Sequence, residues 1–155
     1  MNTNTTKSKK IISQNKKARY DYFVDDSYEA GMELFGTEVK SIRGGALNLK
    51  DAYCTITDGE LFVTGMHVSP FEQGNMQNHD PMRTRRLLMH KKEIMKLMGL
   101  VTQKGYTLVP LSIYFLGSKI KLEVGLCRGK KLYDKRDVEA KKQADRDIER
   151  YSKRG

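Results

Sequence analysis

The stretch NKKARYDYF, residues 15–23, sets the cations Lys16, Lys17 and Arg19 directly against the rings Tyr20 and Tyr22. Cationic side chains neutralise phosphates and an aromatic ring stacks on an unpaired base, so the combination suits single-stranded or loop RNA. Alternation along an extended chain packs one of each neighbouring pair of rings, which leaves one or two of Tyr20, Tyr22 and Phe23 for a ligand. A second basic cluster, RTRR at residues 83–86, fits either a solvated loop or a phosphate contact.

Groups for catalysis are sparse. The Gly-Lys-Ser/Thr ending of a phosphate-binding loop is missing. His67, His79 and His90 have no zinc-type spacing with one another or with Cys54 and Cys127. His67 falls in a strand pattern and reads as a structural hydrogen-bonder. Glu29, Glu33 and Glu38 make an acidic group, but alternate strand positions and helix starts collect carboxylates without any catalytic need. The expectation is a binding protein with no enzymatic activity, metal or cofactor. The two cysteines read as reduced thiols of a cytoplasmic protein, and Cys54 shares a strand face with Ala52 and Ile56. No apolar run is long enough to cross a bilayer.

These residues must be carried by short elements. YDYFV and YEAGMEL read as two strands around an acidic turn at Asp25-Asp26-Ser27. GTEVKSIRGG reads as a short helix capped by Thr37, with Glu38 at the positive end of its dipole and Gly44-Gly45 as its stop. Two alternating strands flank Asp58-Gly59, a dipeptide suited to a two-residue hairpin turn. Residues 69–86 read as a long loop. From Leu87 the pattern turns helical, with Ile94, Leu97, Met98 and Val101 on one face and Gly105 at the end. A last hairpin turns at Gly117-Ser118, with Val109, Leu111, Ile113 and Phe115 sharing one face. About six antiparallel strands with two or three short helices predict a mainly β, α+β fold, a small closed or partly open barrel.

Charge is unevenly spread. The net charge is +10, yet residues 20–127 carry 12 basic and 13 acidic side chains. The surplus lies in residues 1–19, with six basic and no acidic groups, and in residues 128–155, with 11 basic and six acidic. A near-neutral body between basic ends fits a polyanionic partner. Three parts follow: a flexible basic arm over 1–14, a barrel over 15–128 and a basic tail over 129–155. In the tail Ala140, Ala144, Ile148 and Tyr151 form a thin helical stripe, and Asp137–Lys141 and Glu149–Lys153 are favourable i, i+4 pairs. Helix nucleation is costly and the stripe is narrow, so the tail is expected to be disordered when free and to fold as a helix among phosphates.

In order along the chain, NKKARYDYF, EAGMELFGTEVKSIRGG, NLKDAYCTITDGE, HDPMRTRRLLMHKKEI, KGYTLVPLSIYF and GKKLYDKR resemble the SsrA-binding proteins, also called small protein B. The likeness runs from about Asn15 to Arg136 and more loosely through the tail. It implies an OB-like barrel that binds the tRNA-like domain of transfer-messenger RNA (tmRNA) and delivers it to stalled ribosomes in trans-translation. By match to family positions it implies Glu29, Leu88 and Lys121 as RNA contacts, beside Asn15, Lys16, Lys17, Arg19, Tyr20 and Tyr22. It further implies that Gly129, Lys130, Lys131, Tyr133, Asp134, Lys135 and Arg136 reach the decoding site through the vacant mRNA channel of the small subunit. Alanyl-tRNA synthetase and elongation factor Tu are then indirect partners through the RNA, and the protein is a monomer. Tyr133 stands where some relatives carry histidine, Met32 and Met89 where branched aliphatics are usual, and Arg128 where many have lysine. The competing reading is a generic OB-fold RNA-binding protein or RNA chaperone.

Overall fold

The computed structural model describes residues 8–71 and 78–130. Among them are nine strands and three helices: β1 (Lys9–Gln14), α1 (Lys16–Asp21), β2 (Tyr22–Met32), α2 (Gly36–Arg43), β3 (Leu47–Asn48), β4 (Tyr53–Thr57), β5 (Glu60–Thr64), β6 (His67–Val68), β7 (Arg85–Leu88), α3 (Lys91–Lys104), β8 (Thr107–Leu116) and β9 (Lys119–Gly129). The main sheet runs β1-β8-β4-β5-β7-β2-β9, and β9 pairs again with β8. Six strands, β8-β4-β5-β7-β2-β9, therefore close into an antiparallel barrel, as expected. Strands β3 and β6 form a separate pair.

Inside the barrel Ala30, Leu61, Val63, Leu87, Leu122 and Val124 are buried together, and α3 adds Ile94 and Leu97. The two expected hairpins are present. Asp58 and Gly59 both take positive φ (52° and 76°), so Thr57 pairs with Glu60; Leu116 pairs with Lys119 across the last turn.

Several elements differ from expectation. Lys9–Gln14, placed in a flexible arm, pairs with β8 as β1; the half-buried Ile12 packs against the core. The supposed turn at Asp25-Asp26-Ser27 lies inside one 11-residue strand, β2. A register shift between Val24 and Asp26 opposite β9 admits the acidic run as a bulge. Leu87 and Leu88 belong to β7, not to the helix that starts at Lys91; their backbones pair with β2. Thr37 is not the cap of α2: the Glu38 carboxylate accepts from the Phe35 N–H at 2.7 Å, and Thr37 faces His79. The face expected to join Val109, Leu111 and Ile113 is split by a shift between Pro110 and Ser112. Ile113 stays in the barrel, while Val109 and Leu111 turn outward to meet Ala18 and Cys127 in a second cluster.

That second cluster holds α1 against the outside of β8 and β9. It needs Gly125, because a β-carbon there would stand 2.6 Å from Cδ1 and 2.8 Å from Cγ of Leu111. A glycine in mid-strand normally weakens it; here it lets one side chain lie across the neighbouring backbone.

Candidate nucleic-acid interface

Helix α1 has no apolar periodicity to announce it in the sequence, and Asn15 explains why it exists. Its Oδ1 accepts from the Ala18 N–H at 3.1 Å, and its Nδ2 donates to the carbonyls of Leu49 (3.1 Å) and Pro110 (2.9 Å). Asn15 is 3% exposed. Its side chain is committed to seating α1, so it positions the interface from below. Ala18 is the buried residue of the helix, which turns Lys16, Lys17, Arg19 and Tyr20 outward. Tyr20 is 81% exposed. Tyr22 is half-buried against the second cluster. Lys17 lies 3.4 Å from Asp21 and Arg19 lies 3.7 Å from Glu123. Exposed pairs of this kind are worth little, so either cation can exchange its partner for a phosphate.

A row of side chains crosses four strands beside α1. Gly31 on β2 pairs with Leu88 on β7 and with Lys121 on β9, and Lys121 pairs with Tyr114 on β8. Glu29 stands two residues before Gly31 on the same face of β2 and accepts from the Tyr114 hydroxyl at 2.6 Å. A β-carbon at Gly31 would sit 3.4 Å from Leu88 Cβ and 3.7 Å from Lys121 Nζ. The glycine thus floors a depression of about 330 Å³ between Met32, Leu88, Ile120 and Lys121. Apolar walls beside an ammonium suit the face of a base next to its phosphate. Burial, and then the Glu29 carboxylate, push the Tyr114 phenol above its ordinary value, so it stays a donor. The Lys9 ammonium lies 4.3 Å above the Tyr114 ring.

The row and the helix form one surface. On β9 the outward positions run Lys121, Glu123, Gly125, and Glu123 accepts from Ser112 at 2.9 Å while facing Arg19. The described part of the tail starts at its edge: Gly129 pairs with Tyr22, and Lys130 donates to the Arg19 carbonyl at 3.3 Å. Lys131, Tyr133, Asp134, Lys135 and Arg136 lie outside the described residues, as does the helical stripe of the tail.

The structure thus brings Leu88, Glu29 and Lys121 into one cross-strand group, which Arg19 joins through Glu123, and leaves Lys16, Lys17 and Tyr20 exposed on α1. It separates other candidates from it. Arg85 is fully buried and donates to Glu38 at 2.6 Å and to the Met66 carbonyl at 2.8 Å. Arg83 binds both oxygens of Glu38, and Arg86 pairs with Glu33 and Glu60. RTRR is therefore mostly a structural cluster. Burial alone would raise the Glu38 carboxyl; Arg83, the Phe35 N–H and Arg85 together outweigh it and bring it down to about 2. The three glutamates do not meet: Glu29 binds Tyr114, Glu33 binds Arg86 and Glu38 binds Arg83 and Arg85. His79 is buried between Thr37 Oγ1 and the Val68 carbonyl, each at 2.9 Å. Both cysteines are buried and free; burial pushes the Cys127 thiol up to about 11 and Cys54 higher still. The sequence pattern alone does not single out Tyr114 and Lys9, which the fold brings together beside Glu29. The hint available was the position of Tyr114 in mid-strand, out of phase with the apolar residues around it.

Among the described residues no group of histidine, cysteine and carboxylate side chains could hold a metal, and no helix is long and apolar enough to cross a membrane. Residues 12–154 match the family model described as SmpB protein. The SsrA-binding protein of Ruminiclostridium cellulolyticum is 58% identical over 144 residues, covering 93% of this chain and 94% of that one. The SsrA-binding protein of Acetivibrio thermocellus is 56% identical, covering 92% of each, and that of Geobacillus thermodenitrificans is 55% identical, covering 91% of each. A solved chain described as "tmRNA-SmpB: a journey to the center of the bacterial ribosome" superimposes with a TM-score of 0.64 at 46% identity, covering 76% of this chain and 83% of that one.

Proposed function

This chain belongs to the SmpB family, and from that premise we propose how its barrel face and its tail divide the work between two RNAs. It is a tmRNA-binding protein of trans-translation, with the ribosome as its second partner. The body, residues 15–128 with β1 added to its edge, takes the tRNA-like domain of tmRNA on the outer face. Lys16, Lys17, Arg19 and Lys121 meet phosphates, Tyr20 stacks, and Leu88 and Glu29 meet the RNA over the depression floored by Gly31. Lys9 joins that face, and the buried Tyr114 supports it from below through Glu29. The tail, residues 129–155, enters the mRNA channel and brings Gly129, Lys130, Lys131, Tyr133, Asp134, Lys135 and Arg136 towards the decoding site. Message and tail compete for one space, so the tail engages only where message is missing.

The protein supplies position and no catalytic group; the reaction belongs to the ribosome, and the setting is the cytoplasm. Alanyl-tRNA synthetase and elongation factor Tu are partners through the RNA alone. The observation that carries the reading is the register row Leu88–Gly31–Lys121–Tyr114, linked to Arg19 of α1 through Glu123, in a chain that matches the family over 12–154. Sequencing the RNA retained by the protein in cells tests it. One dominant species with a tRNA-like end is expected; a broad mixture of unrelated loops would favour a generic RNA chaperone instead.

A further inference from the structure

Building on that reading of the tail, we propose that Asp25 is a positioning residue that, with Phe23 and Tyr106, sets the direction in which the chain leaves the barrel at Gly129. Val24 pairs with Cys127 and Asp26 with Leu126, so Asp25 is the extra residue of the β2 bulge. Bulges re-aim a side chain, and this one turns the carboxylate towards the end of β9. Arg128 grips it with two parallel bonds, Nε to Oδ2 at 2.9 Å and Nη2 to Oδ1 at 3.0 Å. The Tyr106 hydroxyl donates to Oδ2 at 2.9 Å from the residue just before β8. Three segments therefore converge on one carboxylate.

Phe23 completes the arrangement. The Arg128 guanidinium lies 5.1 Å and the Lys130 ammonium 5.2 Å from its ring centroid, so residues on either side of Gly129 straddle one aromatic side chain. Lys130 is also tied to the last turn of α1 through the Arg19 carbonyl.

Stability does not account for this cluster. The Arg128 and Asp25 side chains are 45% and 28% accessible, and such pairs contribute about 0–1 kcal/mol. A two-point fork instead fixes orientation. Orientation matters because the tail acts at a distance. Eight residues from Gly129 to Arg136 span at most roughly 25 Å of extended chain. A swing of about 20° at the root would move the far end of that span by about 9 Å.

The test uses the full-length chain with D25N, D25E, Y106F and the exchanged pair D25R/R128D, beside a tail variant carrying D134A, K135A and R136A. Each is assayed for tmRNA affinity, thermal midpoint and tagging on stalled ribosomes. D25N should keep tmRNA affinity within about twofold and the thermal midpoint nearly unchanged, while tagging falls about tenfold through misplacement of the tail. D25E and the exchanged pair should restore much of the tagging, and Y106F should fall between. If the tail variant fails to tag while D25N tags normally, the role of Asp25 is refuted and the reading of the tail stands. If the tail variant itself tags normally, the reading of the tail fails and the role of Asp25 fails with it. Parallel loss of tmRNA affinity and tagging in D25N also refutes the role, because Asp25 would then support the body as a whole.

Discussion

Arg85 and Glu38 meet out of reach of solvent: Nε stands 2.6 Å from Oε2 and both side chains are fully buried. This contact ties β7 to the start of α2, and β7 carries Leu88 into the face proposed to meet RNA. A buried pair that loses one partner leaves an uncompensated charge, which costs about 3–5 kcal/mol.

The first prediction is a pH dependence. Glu38 is held at about 2 against an ordinary 4.5. Its folded value is depressed, so its contribution is complete above pH 4.5 and is lost as pH falls towards 2. Urea unfolding should show the wild type losing on the order of 3 kcal/mol over that window from this group. E38Q should be less stable at neutral pH and show a shallower loss on acidification. Equal slopes for the two proteins would contradict the assignment.

Asn15 should act on RNA binding through the fold. N15A removes a helix cap, for which about 0.5–2 kcal/mol is usual, and strips the carbonyls of Leu49 and Pro110 of a donor. A lower thermal midpoint should accompany weaker tmRNA binding. In contrast, Y20A should leave the midpoint unchanged and weaken binding by about 1–3 kcal/mol, the range for a stacked base. Y20F should bind almost as the wild type does. Calorimetry paired with a binding titration separates these cases.

Lys121 and Leu88 flank the same glycine and should differ in salt dependence. K121Q removes the proposed phosphate contact, so the slope of log affinity against log salt should flatten by about 0.7–0.9. L88A should weaken binding at every salt concentration and leave the slope alone. G31V, which fills the depression with a side chain suited to a strand, should weaken binding with little change in unfolding free energy.

Local chemistry made parts of this molecule legible and distant partners hid the rest. The hairpin at Asp58-Gly59 could be read because the turn depends on two adjacent residues. Helix α1 could not, because the residue that seats it bonds to carbonyls 34 and 95 positions away. Arg83 and Arg85 of RTRR look available for phosphate because their partner Glu38 lies 45 and 47 positions away. The acidic run at Asp25 resembled a turn because a bulge paired across β9 leaves no local signature. Family positions led to Glu29, Leu88 and Lys121, while their meeting around Gly31 and Tyr114 is a property of strand register.

The division of labour between body and tail is tested most directly by deleting residues 129–155 and measuring two quantities side by side. Affinity for tmRNA should stay within about twofold of the intact chain, since the phosphate contacts assigned to it lie on the body. Peptide tagging on ribosomes stalled without a stop codon should disappear. Equal loss of affinity and tagging would contradict the account, as would tagging that survives the deletion.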